Sequence, residues 1–473
     1  MSPRVVIVAW LAVFVPSPVF AQRYDLGQRL RMMERAWEAA TPANRTKSVE
    51  PLKKAVTLFF TGKAPEAAAA LDAARFCLLG IDSPSPAIRW ANSLVVRPAA
   101  RLIDPADGPL KVVVTQYYDL KEPRPEGASI RFSVLRDTGE QILGEWNLTS
   151  LPSPGSLAIE KLPVGDYRLI AEVVIQGQPV ARLATMLSIV PDFKGRMDRL
   201  AVAAAALPEQ ATTRRLTLQS LRALVRAMAE NYELETDFPA ARLLTEAETL
   251  AKPDGDRTLL SPGRGGEYWL TLATPSGPAS VRLMVPEKLK VDHPSPLLVA
   301  MHGAGGSENL FFDGYGDGET VRQCRQKGWF MVATRAGGFL GAMPPVAEIV
   351  DELAKYYPID PKRIYIVGHS MGAAHTAAVA QASPGRFAAI AALGGGGSVR
   401  KPAAIKALPV FVGCGNQDFA LSAAKSLVAS LEKAAADVQY REYPNVEHLV
   451  IVQAAIRDVV AFFDQSRKPS ANQ

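Results

Sequence analysis

The chain is poor in cysteine, histidine and aromatic residues, and after its first residues it lacks long apolar runs. Only Cys77, Cys324 and Cys414 occur in 473 residues. This sparse, odd set excludes a disulfide framework and offers no CxxC spacing for zinc. At most one bridge can form, and the thiols read as buried. Among five histidines, His302 has no second His, Cys or carboxylate at ligand spacing, so no metal is expected. Charged residues of both signs are interspersed, the net charge is only +6 and aromatics make up 7%. No basic, aromatic-laced stripe argues for nucleic acid. Beyond the first residues no apolar stretch reaches the roughly 20 residues that a membrane-spanning helix needs.

The first segment, "MSPRVVIVAWLAVFVPSPVFAQ", carries an early Arg4, an apolar run from Val5 to Val15 broken by Pro16 and Pro18, and small residues at the cut. It reads as a cleaved signal peptide over residues 1–21. The mature protein is therefore expected outside the cytoplasm, either secreted or periplasmic.

With 48% hydrophobic and 21% charged residues, the remainder has the composition of an ordinary globular protein with several cores. Helical periodicity over residues 22–92 suggests a helical hairpin hinged at Gly62 and Pro65. Over 93–192 the period changes to two: Ile130, Phe132 and Val134 alternate with polar neighbours, and turn signals recur. That pattern suggests a small antiparallel β-sandwich of immunoglobulin or fibronectin type. Residues 193–252 return to helical patterning, with Leu218, Leu221, Val225 and Met228 on one face, and read as a helical linker. From 253 to 467 strand and helix signals alternate. Near-continuous apolar runs such as Leu297–Met301 suit strands buried on both faces, so this is an α/β domain with a mostly parallel sheet.

Within it, "IYIVGHSMGAAHT" matches GxSxG where a strand turns sharply into a helix. Glycines on either side let the strained turn project the Ser370 hydroxyl from the sheet edge. A serine hydroxyl is too weak an acid to attack unaided, and needs a base held in one tautomer by a carboxylate. Both follow in order: Asp418 after one apolar strand, His448 after the last. Glu442 and Glu447 are alternative acids, the first within a strand and the second adjacent to His448. His369 and His375 belong to the turn and its helix. For the oxyanion, the amide of Met371 is one donor, and the glycine-rich "MHGAGGSENLFFDGYGDG" offers Ala304, or Gly303 next, as the other. His302 is expected to brace that loop.

The stretches "HGAGGSENLFFDGYGDG", "YPIDPKRIYIVGHSMG" and "NVEHLVIVQAA" together resemble secreted α/β-hydrolase esterases. The groups most alike are the polyhydroxybutyrate-depolymerase-like and feruloyl-esterase-like enzymes, with carboxylesterases and prolyl-oligopeptidase catalytic domains related. The resemblance spans roughly residues 265–465. It implies a Ser370, Asp418, His448 triad, acyl-enzyme chemistry on carboxylic esters and no cofactor.

After the sixth strand of the domain, "GGGGSVRKPAAIKALP" is too short to hold a lid. An open site is thus expected, suited to bulky, polymer-linked or cell-wall-linked esters. Two other readings stand beside this one: a serine peptidase of prolyl-oligopeptidase type, and an inactive binding scaffold.

Overall fold

The computed structural model describes residues 18–136, 139–207, 212–230, 235–253, 255, 260–289, 292–336 and 342–468. The signal peptide expected over 1–21 lies outside the described residues except for the backbone of 18–21, which opens the first helix. Three helices come first: α1 (Pro18–Ala39), α2 (Pro42–Phe60) and α3 (Ala64–Leu78). Thr41 starts α2 by accepting a hydrogen bond from the Asn44 amide at 3.3 Å, with Pro42 in the first turn where its missing N–H costs nothing. Gly62, at φ 74°, turns the chain back into α3. A short α4 (Pro86–Ser93) leads into the β region.

That region holds β1 (Leu94–Pro98), β2 (Leu102–Ile103), β3 (Leu110–Gln116), β4 (Ala128–Arg136), β5 (Gly139–Asn147), β6 (Ser153–Leu157), β7 (Gly165–Ile175) and β8 (Gln178–Ile189). They form a three-stranded sheet, β1-β3-β6, and a five-stranded sheet, β2-β8-β7-β4-β5. Ile130, Phe132 and Val134 point inward against Val112, Val114 and Leu169 in one apolar core. The alternation of β4 thus has a direct cause: one face of the strand is dry.

Helices α5 (Phe193–Ala206), α6 (Thr213–Ala229) and α7 (Ala240–Ala251) follow. They are not the linker that helical patterning suggested over 193–252. Leu218, Leu221 and Val225 share a core with Leu270, Leu272 and Val281 of the large sheet. The Thr271 amide donates to the Thr217 hydroxyl at 3.0 Å. An apolar stripe this wide must be covered, and the sheet supplies the partner surface.

The large sheet contains β9 (Gly266–Thr274), β10 (Gly277–Val285), β11 (Ser295–Met301), β12 (Phe330–Thr334), β13 (Ile359–His369), β14 (Ala389–Leu393), β15 (Pro409–Gly415) and β16 (Asp437–Tyr443). Its spatial order is β16-β15-β14-β13-β11-β12-β10-β9. Strand β10 pairs antiparallel with both β9 and β12, and every other pairing is parallel. This is the α/β-hydrolase arrangement, and the C-terminal ends of β13, β15 and β16 open on one edge.

Helices α1–α3 are built into this domain. Met33, Trp37 and Leu52 join Phe311, Phe312, Val450 and Val452 in a single core. Gly27 lets α1 approach closely, since a Cβ there would stand 2.2 Å from the Glu235 carbonyl oxygen. Among the described residues no helix is long and apolar enough to cross a membrane.

Candidate active site

Strand β13 ends at His369, and the helix Met371–Ala382 begins one residue later. The residue between them, Ser370, takes φ 55° and ψ −114°, a conformation that L-residues adopt only under constraint. Close packing imposes it. A Cβ on Gly368 would lie 2.1 Å from the Gly372 carbonyl oxygen, and one on Gly372 would lie 2.1 Å from that of Met301. The Ser370 amide donates to the Leu393 carbonyl at 2.9 Å, clamping the turn to the end of β14.

Behind β14 runs the glycine stretch that marked the missing lid. Its glycines serve the turn: a Cβ on Gly395 would reach within 2.5 Å of the Ser370 carbonyl oxygen, and one on Gly394 within 2.8 Å of Asp418 Oδ2.

After β15, Asp418 Oδ1 accepts the Ala420 amide at 2.8 Å and contacts His448 Nδ1 at 2.9 Å. Both side chains are buried. Burial opposes the Asp418 charge, but the hydrogen bond from His448 and its nearness hold the carboxyl below the ordinary range. The alternative acids are engaged elsewhere. Glu447 accepts the Leu449 amide at 2.9 Å, and burial pushes it up to about 7. Glu442 is tied to Lys425 and to the Tyr440 hydroxyl, each at 3.0 Å.

The loop after β11 completes the edge. His302 Nε2 accepts the Ala336 amide at 3.1 Å, so its Nδ1–H donates to the Gly303 carbonyl at 2.7 Å. The ring is neutral, its pKa lowered by burial, and it braces the loop. Gly303 and Ala304 both line the cleft beside Ser370, and the Gly303 amide faces the Tyr315 hydroxyl at 3.4 Å. Of the two candidate donors, Gly303 is thus already engaged.

Sequence reasoning missed a hydrogen-bonded chain beneath these residues. His369 Nε2 lies 3.1 Å from the His448 carbonyl and so carries the proton; its Nδ1 then accepts from the Tyr315 hydroxyl at 2.8 Å. Burial, followed by the neighbouring His448, pushes His369 down to about 3, so the ring stays neutral and this polarity persists. The chain links the loop after β11, the serine turn and the His448 loop. Its only sequence signal was the position of Tyr315 inside "GYGDG".

A cleft of about 130 Å³ reaches Ser370 and His448. The short connection after β14 suggested an open site, but the cleft is covered. Its roof comes from the far end of the chain: Leu26 and Leu30 of α1, Val56 and Phe59 of α2, and Leu71 of α3, with the half-exposed Phe60 at the outer edge. The Arg23 guanidinium donates to the Gly305 carbonyl at 2.5 Å, pinning the start of α1 to the glycine-rich loop.

Several solved structures are similar to this chain. A thermostable esterase is similar at 17% identity, covering 76% of this chain and 95% of its own, with a TM-score of 0.39. The fluorophosphonate-binding serine hydrolase F of Staphylococcus aureus, 17% identical, covers 42% of this chain and 99% of its own, with a TM-score of 0.35. A feruloyl esterase module from Clostridium thermocellum, solved with sinapinate, is 16% identical over 45% of this chain and 92% of its own, with a TM-score of 0.36. No curated protein matches the chain. The family model that matches is one that the motifs had not singled out. The chain carries an α/β-hydrolase domain whose residues 319–464, containing Ser370, Asp418 and His448, match the dienelactone hydrolase family.

Proposed function

We propose that the protein is a serine hydrolase of carboxylic esters, working through an acyl-enzyme on Ser370. One observation carries the reading: Ser370 sits on a strained turn and shares a cleft with His448, whose ring is held by Asp418 at 2.9 Å. Ser370 Oγ attacks the ester carbonyl while His448 Nε2 takes its proton. Asp418 keeps the proton on His448 Nδ1 and favours the imidazolium that forms. The Met371 and Ala304 amides receive the oxyanion. His448 then protonates the departing alcohol, and water repeats the cycle on the acyl-enzyme. No step calls for a cofactor.

The apolar roof changes the expected substrate. An ester with a compact apolar acyl group seated under α1–α3 fits the lining better than one held in an open groove. A bulky or polymer-linked remainder is then the alcohol, left toward the mouth. Given the leader-like first segment, we place the enzyme outside the cytoplasm; N-terminal sequencing of exported protein, expected to begin at Gln22, tests this.

The function is tested with wild type and Ser370→Ala on p-nitrophenyl acyl esters, a methyl hydroxycinnamate and a chromogenic prolyl peptide. Ester turnover that falls by about 10⁴-fold or more in the variant is expected. Peptide turnover without ester turnover would replace this reading with the peptidase, and a wild-type Ser370 that neither turns over substrate nor labels with a fluorophosphonate would leave a binding scaffold.

A further inference from the structure

Two large aromatic side chains are exposed beside the cleft, Phe60 lining it and Phe419 set against its His448, and neither belongs to a hydrophobic core. Phe419 is 63% exposed and Phe60 48% exposed. They come from parts of the chain more than three hundred residues apart, yet their ring centroids are 6.2 Å apart at 83°, edge to face. Phe419 also lies against His448, centroid to centroid 4.3 Å at 42°.

Both rings are held in place. Phe419 sits between Asp418 and Ala420 in a turn closed by the Ala420 amide on Asp418 Oδ1 at 2.8 Å and the Leu421 amide on the Asp418 carbonyl at 3.2 Å. Phe60 ends α2 and touches Phe59, whose ring centroid is 5.4 Å away. Lys53 Nζ donates to Gln417 Oε1 at 2.7 Å, tying α2 to the loop that carries Phe419. Exposed apolar surface that is fixed in position and borders a reacting group calls for an apolar partner.

Which half of the substrate meets these rings follows from the proton. His448 must deliver it to the leaving oxygen, so the alcohol half lies against His448, and Phe419 covers that side. The acyl half lies deeper, by the loop containing Gly303 and Ala304. We infer that Phe60 and Phe419 form an aromatic clamp for the alcohol half of the ester, so that the substrates are esters of ring-bearing or branched apolar alcohols. The inference rests on the ester-hydrolase reading above.

Two substrate series separate the halves: acetates of methanol, cyclohexanol and 2-naphthol, and p-nitrophenyl esters of increasing acyl length. In Phe419→Ala and in Phe60→Ala, the ratio of kcat/KM for naphthyl over methyl acetate is expected to fall ~10-fold. Phe419→Tyr should keep the ratio, and the acyl-length preference should not move. Equal loss on every ester in both alanine variants, or a shift confined to the acyl series, would overturn the clamp. Fluorophosphonate labelling of Ser370 distinguishes the two levels: a wild type that fails to label removes the hydrolase reading, whereas variants that label normally with an unchanged alcohol ratio remove only the clamp.

Discussion

Asp418 and Glu447 both lie beside His448, and their surroundings separate them. Asp418 keeps its charge because it accepts from His448 and from a backbone amide. Glu447 is pushed up to about 7 by burial, with one oxygen on the Leu449 amide. Asp418→Asn should lower kcat by about 10⁴-fold, because an amide facing His448 Nδ1 favours the wrong tautomer. Glu447→Gln should stay within a few-fold of wild type; steady-state kinetics on one p-nitrophenyl ester checks both. Tyr315 supplies a different test. Tyr315→Phe removes the hydroxyl between Gly303 and His369, loosening the serine turn. The expected result is a fall in kcat of ~10-fold at nearly constant KM, with ~1–3 kcal/mol lost in urea denaturation for the unsatisfied His369 nitrogen.

Among the elements, the serine turn depends on bare backbone at positions where side chains cannot fit. Gly372→Ala would drive a Cβ to 2.1 Å from the Met301 carbonyl oxygen. It should cost about 3 kcal/mol and abolish labelling of Ser370. Gly328 makes the contrast: at φ 66° nothing lies within 4 Å of a Cβ built there. Gly328→Ala should therefore cost only about 1 kcal/mol of backbone strain and leave labelling intact; denaturation curves of the pair measure the difference. Sequence periodicity made β4, β11 and β13 legible because apolar and polar residues alternate along β4, while β11 and the second half of β13 are buried throughout or nearly so. It misassigned α5–α7 as a linker because a helical stripe says that something covers it and not what does.

Across the whole molecule, α1 joins the parts. Its Arg29 is buried against Asp72 at 3.0 Å and the Asn92 and Leu94 carbonyls, at the border with the β-sandwich. Its Arg35 reaches Asp317 at 2.7 Å. Between them Glu34 is wholly buried. Burial raises its pKa from 4.5 to about 8, against the weaker pull of Arg31 and the Tyr315 and Gly316 amides toward the charged form, with Asp317 adding repulsion. From about 4.5 to about 8 the folded chain holds a proton here that the unfolded chain has released. Stability from this site therefore falls as pH rises through that window. Glu34→Gln should gain on wild type with rising pH, by on the order of 3 kcal/mol between pH 5 and pH 8.5. Melting curves at the two pH values, with Glu447→Gln as a control at another raised carboxyl, measure it.

The α/β-hydrolase domain was legible in the sequence by itself, as was the chain order of the candidate residues Ser370, Asp418 and His448. Strand runs, the GxSxG turn and the chain order of the loops are local or sequential, and a parallel sheet sends successive loops to one edge. The roof over Ser370, the Tyr315 to His369 to His448 chain and the Phe60–Phe419 pair were decided only by the tertiary structure. They join residues tens to hundreds of positions apart, and apolar side chains on a helix carry no address. Which surface buries them depends on the shapes that the rest of the chain offers, and here the sheet edge offered the rim of the cleft.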